Sequence, residues 1–133
     1  MVEGMIYKIE SKTGKMYIGS TKQTLKQREN GHKNGYNKYK TTGRGYCSSY
    51  KVYEEDEEAR MILIEEYRCV RESTLRAREM YHIARYIEKG STVVNENRPM
   101  KNVLRAKLEM WMKDELPEKA RDKDDSKVVY VEL

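Results

Sequence analysis

Phenylalanine is absent from this chain of 133 residues, and tryptophan occurs once. Aromatic burial therefore falls to the 11 tyrosines, whose hydroxyls need hydrogen-bond partners wherever the rings are enclosed. Cysteine occurs twice, at Cys47 and Cys69. Neither has a second Cys or a His at zinc-ligand spacing, which excludes a metal knuckle and leaves at most one disulfide open to the pair. No apolar run approaches the length of a membrane span. The amino terminus lacks the basic segment and apolar stretch of a signal peptide. The expectation is an intracellular protein, cytoplasmic or nuclear, with no membrane contact. The length bounds a single domain with one modest core.

Charge is abundant and unevenly placed. Net charge is +5, yet residues 1–52 hold 11 Lys and Arg against 3 Asp and Glu, while residues 53–133 hold 16 against 19. A basic half beside a mildly acidic one suits a nucleic-acid footprint near the amino-terminal half. Solubility is the plainer reading, and charge alone does not choose between them.

The stretch from Ile6 to His32 organises the chain. Ile6-Tyr7-Lys8-Ile9 and Met16-Tyr17-Ile18-Gly19-Ser20, joined through Lys12-Thr13-Gly14-Lys15, read as a β-hairpin. Tyr7 and Tyr17 lie near the middles of their strands, so pairing brings the phenols together. Gly19 ends the second strand where a side chain would block close approach. Ser20 or Thr21 is then the expected cap of a helix over Leu25 to Lys33. Arg28 and His32, four apart, share a face of that helix. A planar guanidinium suits bidentate phosphate binding, and an imidazole can hold an oxygen or relay a proton. Two phenols, a guanidinium and an imidazole outline a phosphate-handling site.

At these residues the chain resembles the GIY-YIG nuclease superfamily. Tyr17-Ile18-Gly19 matches its second triad letter for letter. Met5-Ile6-Tyr7 stands where Gly-Ile-Tyr is expected, with a glycine one position earlier at Gly4. Ser20-Thr21, Leu25, Arg28 and His32 follow in step, and the resemblance spans Met5 to Pro99.

From Asn34 to Val52 the composition is that of a loop. Lys38, Lys40, Arg44 and Lys51 interleave with Tyr36, Tyr39, Tyr46 and Tyr50, a mixture that can hold phosphates and stack on bases; the alternative is tyrosines packed back on the sheet. Glu54 to Glu58 reads as a solvated turn or helix start. Arg60 to Tyr67 reads as a buried third strand pairing with the hairpin. A helix over Ser73 to Lys89, with Ser73 or Thr74 as cap and Gly90 as stop, carries Leu75, Ile83 and Ile87 on its core face. Glu79 occupies a slot in that stripe, where a carboxylate needs a partner. A divalent cation is one candidate; an ion pair with Arg76, Arg78 or a lysine is another. His82 reads as a packing or supporting residue. Beyond Pro99, Met100 to Leu116 has the spacing of an amphipathic helix, followed by a charged stretch and the tail Val128 to Leu133.

The expected fold class is α+β: a small central three-stranded antiparallel β-sheet flanked by α-helices, with an extra C-terminal helix. Residues 1–99 form the nuclease-like domain and 100–133 an extension packed on it or appended to it. The resemblance implies a metal-dependent endonuclease, with Glu79 as the ligand of Mg²⁺ or Mn²⁺ and Tyr7, with Tyr17 as rival or helper, handling the attacking water. Arg28 and His32 complete the catalytic set. Gly19, Lys8, Lys38, Lys40, Arg44 and Asn95 are expected against nucleic acid, most directly double-stranded DNA, with Asn97 a rival for the role of Asn95. Products with a 5′-phosphate and a 3′-hydroxyl follow from the same resemblance. A monomer or weak dimer is expected. The altered first triad keeps open a catalytically inactive nucleic-acid-binding module, and the C-terminal helix an interaction protein.

Overall fold

A computed structural model describes residues 2–96. The expected C-terminal helix, the tail, Asn97 and the 100–133 extension lie outside the described residues. The chain runs β1 (Val2–Glu10), β2 (Met16–Thr21), α1 (Leu25–Thr42), α2 (Tyr50–Glu55), β3 (Arg60–Cys69) and α3 (Glu72–Glu88). β1 lies at the centre of a three-stranded sheet of order β2-β1-β3, antiparallel to both neighbours. This is the expected α+β arrangement. Cys47 is half-buried and Cys69 buried, with no disulfide between them, and no described helix is long and apolar enough to cross a membrane.

Alternation along β1 sends successive side chains to opposite faces, and each face has its own apolar layer. Ile6, with Ile18, Ile64 and Tyr67, packs against Leu75, Ile83 and Tyr86 of α3. Tyr7 and Ile9 pack on the other side with Tyr36 of α1 and Tyr50, Val52 and Tyr53 of α2. Each fully buried aliphatic side chain contributes about 2 kcal/mol, so both helical layers are held by the sheet between them. The β1–β3 register shifts between Ile6 and Tyr7. That bulge turns both Ile64 and Glu65 toward α3, and bulges of this kind re-aim side chains beside functional sites.

Where the sequence suggested Ser20 or Thr21, the cap of α1 is Thr24. Its hydroxyl accepts from the Gln27 N–H while the Gln27 side chain answers to the Thr24 N–H, a complete capping box. The helix also outruns its expected end at Lys33 and stops at Gly43, whose φ of 70° closes it in the left-handed region. Much of the supposed Asn34–Val52 loop is therefore helix. The cause is tertiary: His32, Tyr36 and Tyr39 follow Arg28 along one face of α1, and Tyr36 stacks on Tyr53 with ring centroids 5.5 Å apart. That packing offsets the weak helix propensity of Gly31, Gly35 and the asparagines.

The acidic run Glu54–Glu58 closes α2 and forms the turn after it, with Glu54, Glu57 and Glu58 exposed as expected. Asp56 accepts from the Lys12 N–H at 2.9 Å, Glu55 takes the Thr13 hydroxyl, and Glu57 pairs with Lys40. α3 begins at Glu72, so Ser73 and Thr74 fall inside its first turn, and Arg71 at the cap position makes no side-chain capping bond. Gly90 follows its end as expected, with Ser91 N–H donating to Tyr86 O at 3.0 Å. The segment after it returns along the outer edge of β2: Met16 N–H donates to Thr92 O at 2.9 Å and Val94 N–H to Met16 O at 2.8 Å. The open edge is thereby covered.

Candidate active site

Tyr7 is fully buried, and its hydroxyl is held from two sides. Arg28 Nε–H donates to it at 3.3 Å, and His32 Nε2 lies 2.7 Å away. The other imidazole nitrogen, Nδ1, is 3.1 Å from Ser49 Oγ. Ser49 Oγ in turn donates to Cys47 Sγ at 3.5 Å. Tyr17 packs its ring edge-on against His32, with centroids 5.7 Å apart, and its hydroxyl has no hydrogen bond among the described residues. Arg28 uses only Nε, so its terminal nitrogens have no partner among the described residues.

Gly19 makes this convergence feasible. It pairs with Tyr7 across the hairpin, and a Cβ there would lie 2.4 Å from Tyr7 Oη and 2.5 Å from Cζ. The expected clearance is thus filled by the tyrosine itself. One residue further, on the α3 side of the edge strand, Ser20 Oγ–H donates to Glu79 Oε1 at 2.7 Å.

The electrostatics follow from enclosure around one guanidinium. Burial raises Tyr7 to about 12, although Arg28 pulls the other way. Burial raises Tyr17 as well. His32 is lowered to about 4, by burial first and then by the charge of Arg28, so the imidazole is neutral at physiological pH. Burial pushes the Glu79 carboxyl above its ordinary range, opposed by its hydrogen bonds to Ser20 and by the charges of Arg28 and Arg76. The charge of Glu79 is felt at both phenols.

Glu79 is half-buried, and no lysine or arginine among the described residues forms an ion pair with it. Arg78, one suggested partner, pairs instead with the buried Glu65, which also bonds His82 Nε2 at 2.8 Å. His82 therefore supports Glu65 and not Glu79. An enclosed carboxylate without a cationic side chain beside it is a fit place for a hard divalent ion. Among the described residues no three His, Cys, Asp or Glu side chains form a ready-made cage. Among the described residues Glu79 would then be the one anionic ligand, with phosphate oxygen and water completing the shell, as suits Mg²⁺.

Folding brings Tyr7, Tyr17, Gly19, Arg28 and His32 together, with Glu79 at the adjoining edge. Other expected residues lie elsewhere. Lys8, expected against phosphate, is 3% exposed. It lies 3.5 Å from Glu10 and over the Tyr86 ring of α3, because alternation places it on the face opposite Tyr7. Asn95 is buried and bridges the backbone of Ile18: its Oδ1 accepts from Ile18 N–H at 2.9 Å and its Nδ2 donates to Ile18 O at 2.7 Å. It ties the returning segment to β2. Lys38, Lys40 and Arg44 are exposed along α1 and just past it. Tyr36 and Tyr50 are packed inward, while Tyr46 remains 44% exposed.

Sequence reasoning missed Ser20 and Ser49. Strand alternation could have placed Ser20 beside Ile18 on the α3 face. Nothing local marks Ser49, whose contact is tertiary. The family model for the GIY-YIG catalytic domain matches residues 3–90. No curated protein and no solved structure matches the chain.

Proposed function

The chain belongs to the GIY-YIG catalytic domain family, a nuclease family, and from that premise we propose a divalent-metal-dependent endonuclease that hydrolyses DNA phosphodiester bonds. The observation that carries this reading is the double engagement of the Tyr7 hydroxyl, by Arg28 Nε and His32 Nε2.

A phenol at about 12 is protonated at neutral pH, so Tyr7 does not wait as a phenolate. It accepts the proton of the attacking water as it passes its own to His32, whose neutral ring offers Nε2 as acceptor. A phosphate arriving at Arg28 offsets the charge that, after burial, disfavours protonated His32, and so raises its affinity for that proton. The terminal nitrogens of Arg28 hold two phosphate oxygens and stabilise the charge that builds on them. Tyr17 donates its unengaged hydroxyl to the phosphate or the water. Glu79 would hold a divalent cation, which would supply charge stabilisation to the phosphate and the leaving oxygen, and the products carry a 5′-phosphate and a 3′-hydroxyl. Lys38, Lys40 and Arg44 bear on the flanking DNA backbone. The exposed Lys40–Glu57 pair is weak in water and gives way to phosphate. Asn95 acts by fixing β2, and Lys8 by packing.

The alternative is a nucleic-acid-binding module without catalysis, favoured by Met5 in the first triad. Supercoiled plasmid with Mg²⁺, with and without EDTA, distinguishes the two. Nicking abolished by EDTA and reduced about 10²- to 10⁴-fold in Tyr7→Phe supports the hydrolase. DNA retardation with no nicking supports the binding module.

A further inference from the structure

Resting on the reading above, in which His32 takes a proton at Nε2, we infer that Ser49 is a positioning residue that fixes His32 in its Nδ1–H tautomer, with Cys47 holding the serine in the required orientation. A neutral imidazole carries its proton on one nitrogen and a lone pair on the other. Only the tautomer protonated at Nδ1 leaves Nε2 free to accept from Tyr7. The neighbours decide between them. Arg28 Nε–H donates to Tyr7 Oη, so the acceptor within reach of the phenol's own hydrogen is Nε2, 2.7 Å away. On the other side Ser49 Oγ–H is directed at Cys47 Sγ, which leaves Ser49 Oγ to accept from His32 Nδ1–H at 3.1 Å. Each hydrogen then has one acceptor, in a single direction from Arg28 to Cys47.

A second observation points the same way. Ser49 stands at the cap position of α2, where a serine ordinarily gives its oxygen to a first-turn N–H. Here the side chain makes no capping bond, and its backbone is in the right-handed helical region. The residue is fully buried, and its hydroxyl is committed to the imidazole. A local rule set aside at a buried polar residue marks a site where another requirement prevails. Among the described residues, the groups facing His32 are Tyr7 from β1, Tyr17 from β2, Arg28 from its own helix, and Ser49 with Cys47 behind it. Of these, only Ser49 reaches Nδ1.

The test is the tautomer of His32, read by nitrogen NMR of the imidazoles in the full chain. With only two histidines, His32→Gln assigns the signals. The wild type is expected to show one neutral tautomer with the proton on Nδ1. Ser49→Ala, nearly isosteric, is expected to mix the tautomers and to lower the plasmid-nicking kcat about 10- to 100-fold with little change in KM. Cys47→Ala frees the Ser49 hydroxyl to donate to Nδ1 and gives a partial mixture, whereas Cys47→Ser keeps an acceptor and restores the wild-type pattern. A wild-type ring protonated at Nε2, or a Ser49→Ala ring unchanged from wild type, overturns the inference. Absence of nicking by the wild type would instead sink the hydrolase reading and leave the tautomer result standing.

Discussion

Replacing His32 with glutamine should remove one defined share of the acid sensitivity built into the fold. His32 is 5% exposed, and its imidazole titrates at about 4 in the folded chain against about 6.5 when unfolded. Between those values the unfolded chain takes up a proton that the folded chain refuses. Stability fully present above pH 6.5 is therefore lost as pH falls toward 4. The displacement is worth about 3 kcal/mol in all, of which about 2.5 kcal/mol falls between pH 7.5 and 4.5. Glutamine keeps polar atoms near the Tyr7 and Ser49 hydroxyls and does not titrate. Urea unfolding of wild type and His32→Gln at the two pH values isolates the effect, because Glu65, His82 and Glu79 are present in both chains and cancel in the difference. The wild type should lose about 2.5 kcal/mol more than the variant on acidification. Equal losses would refute the claim that burial beside Arg28 keeps this histidine neutral.

Gly19→Ala should force the Tyr7 ring aside, since the new methyl would lie 2.4 Å from its hydroxyl oxygen. Destabilisation of about 1–3 kcal/mol, read as a lower Tm, should accompany loss of nicking, and a variant with wild-type Tm and rate would disprove the close packing. Glu79 has a raised pKa, so its contribution is greatest when protonated and is lost as pH rises through the folded value. At neutral pH Glu79→Gln should therefore match or exceed the wild-type Tm in EDTA, while Mg²⁺ should raise the Tm of the wild type alone. Equal stabilisation of both by Mg²⁺ would place the cation elsewhere.

The hairpin, the third strand and α3 are legible because each has strong periodicity and a local stop signal: Gly14 in the turn, Gly90 past α3. Tyr7, Tyr17, Arg28 and His32 were legible together because strand pairing and a four-residue helical step follow from spacing alone. The sequence pattern ends α1 early because Gly31, Gly35 and three asparagines suppress local propensity, while the contacts that sustain the helix, Tyr36 on Tyr53 and Tyr39 on Tyr50, come from residues distant in sequence. Its positive charge alone puts Lys8 against phosphate, whereas period-2 alternation places it on the face opposite Tyr7. The bond from Asn95 to Ile18 spans 77 positions, and the bond from Ser49 to His32 depends on where α2 packs. Neither leaves a mark in the local sequence. The ion pair considered for Glu79 went instead to Glu65, which the bulge turned toward Arg78.

The most direct measurement is the initial rate of plasmid nicking in saturating Mg²⁺ by Glu79→Ala beside wild type, with both chains shown to be folded and both still retarding DNA. The account predicts a fall of at least about 100-fold, the several kcal/mol that a bound cation supplies to the reacting phosphate. Nicking by Glu79→Ala at the wild-type rate would contradict it.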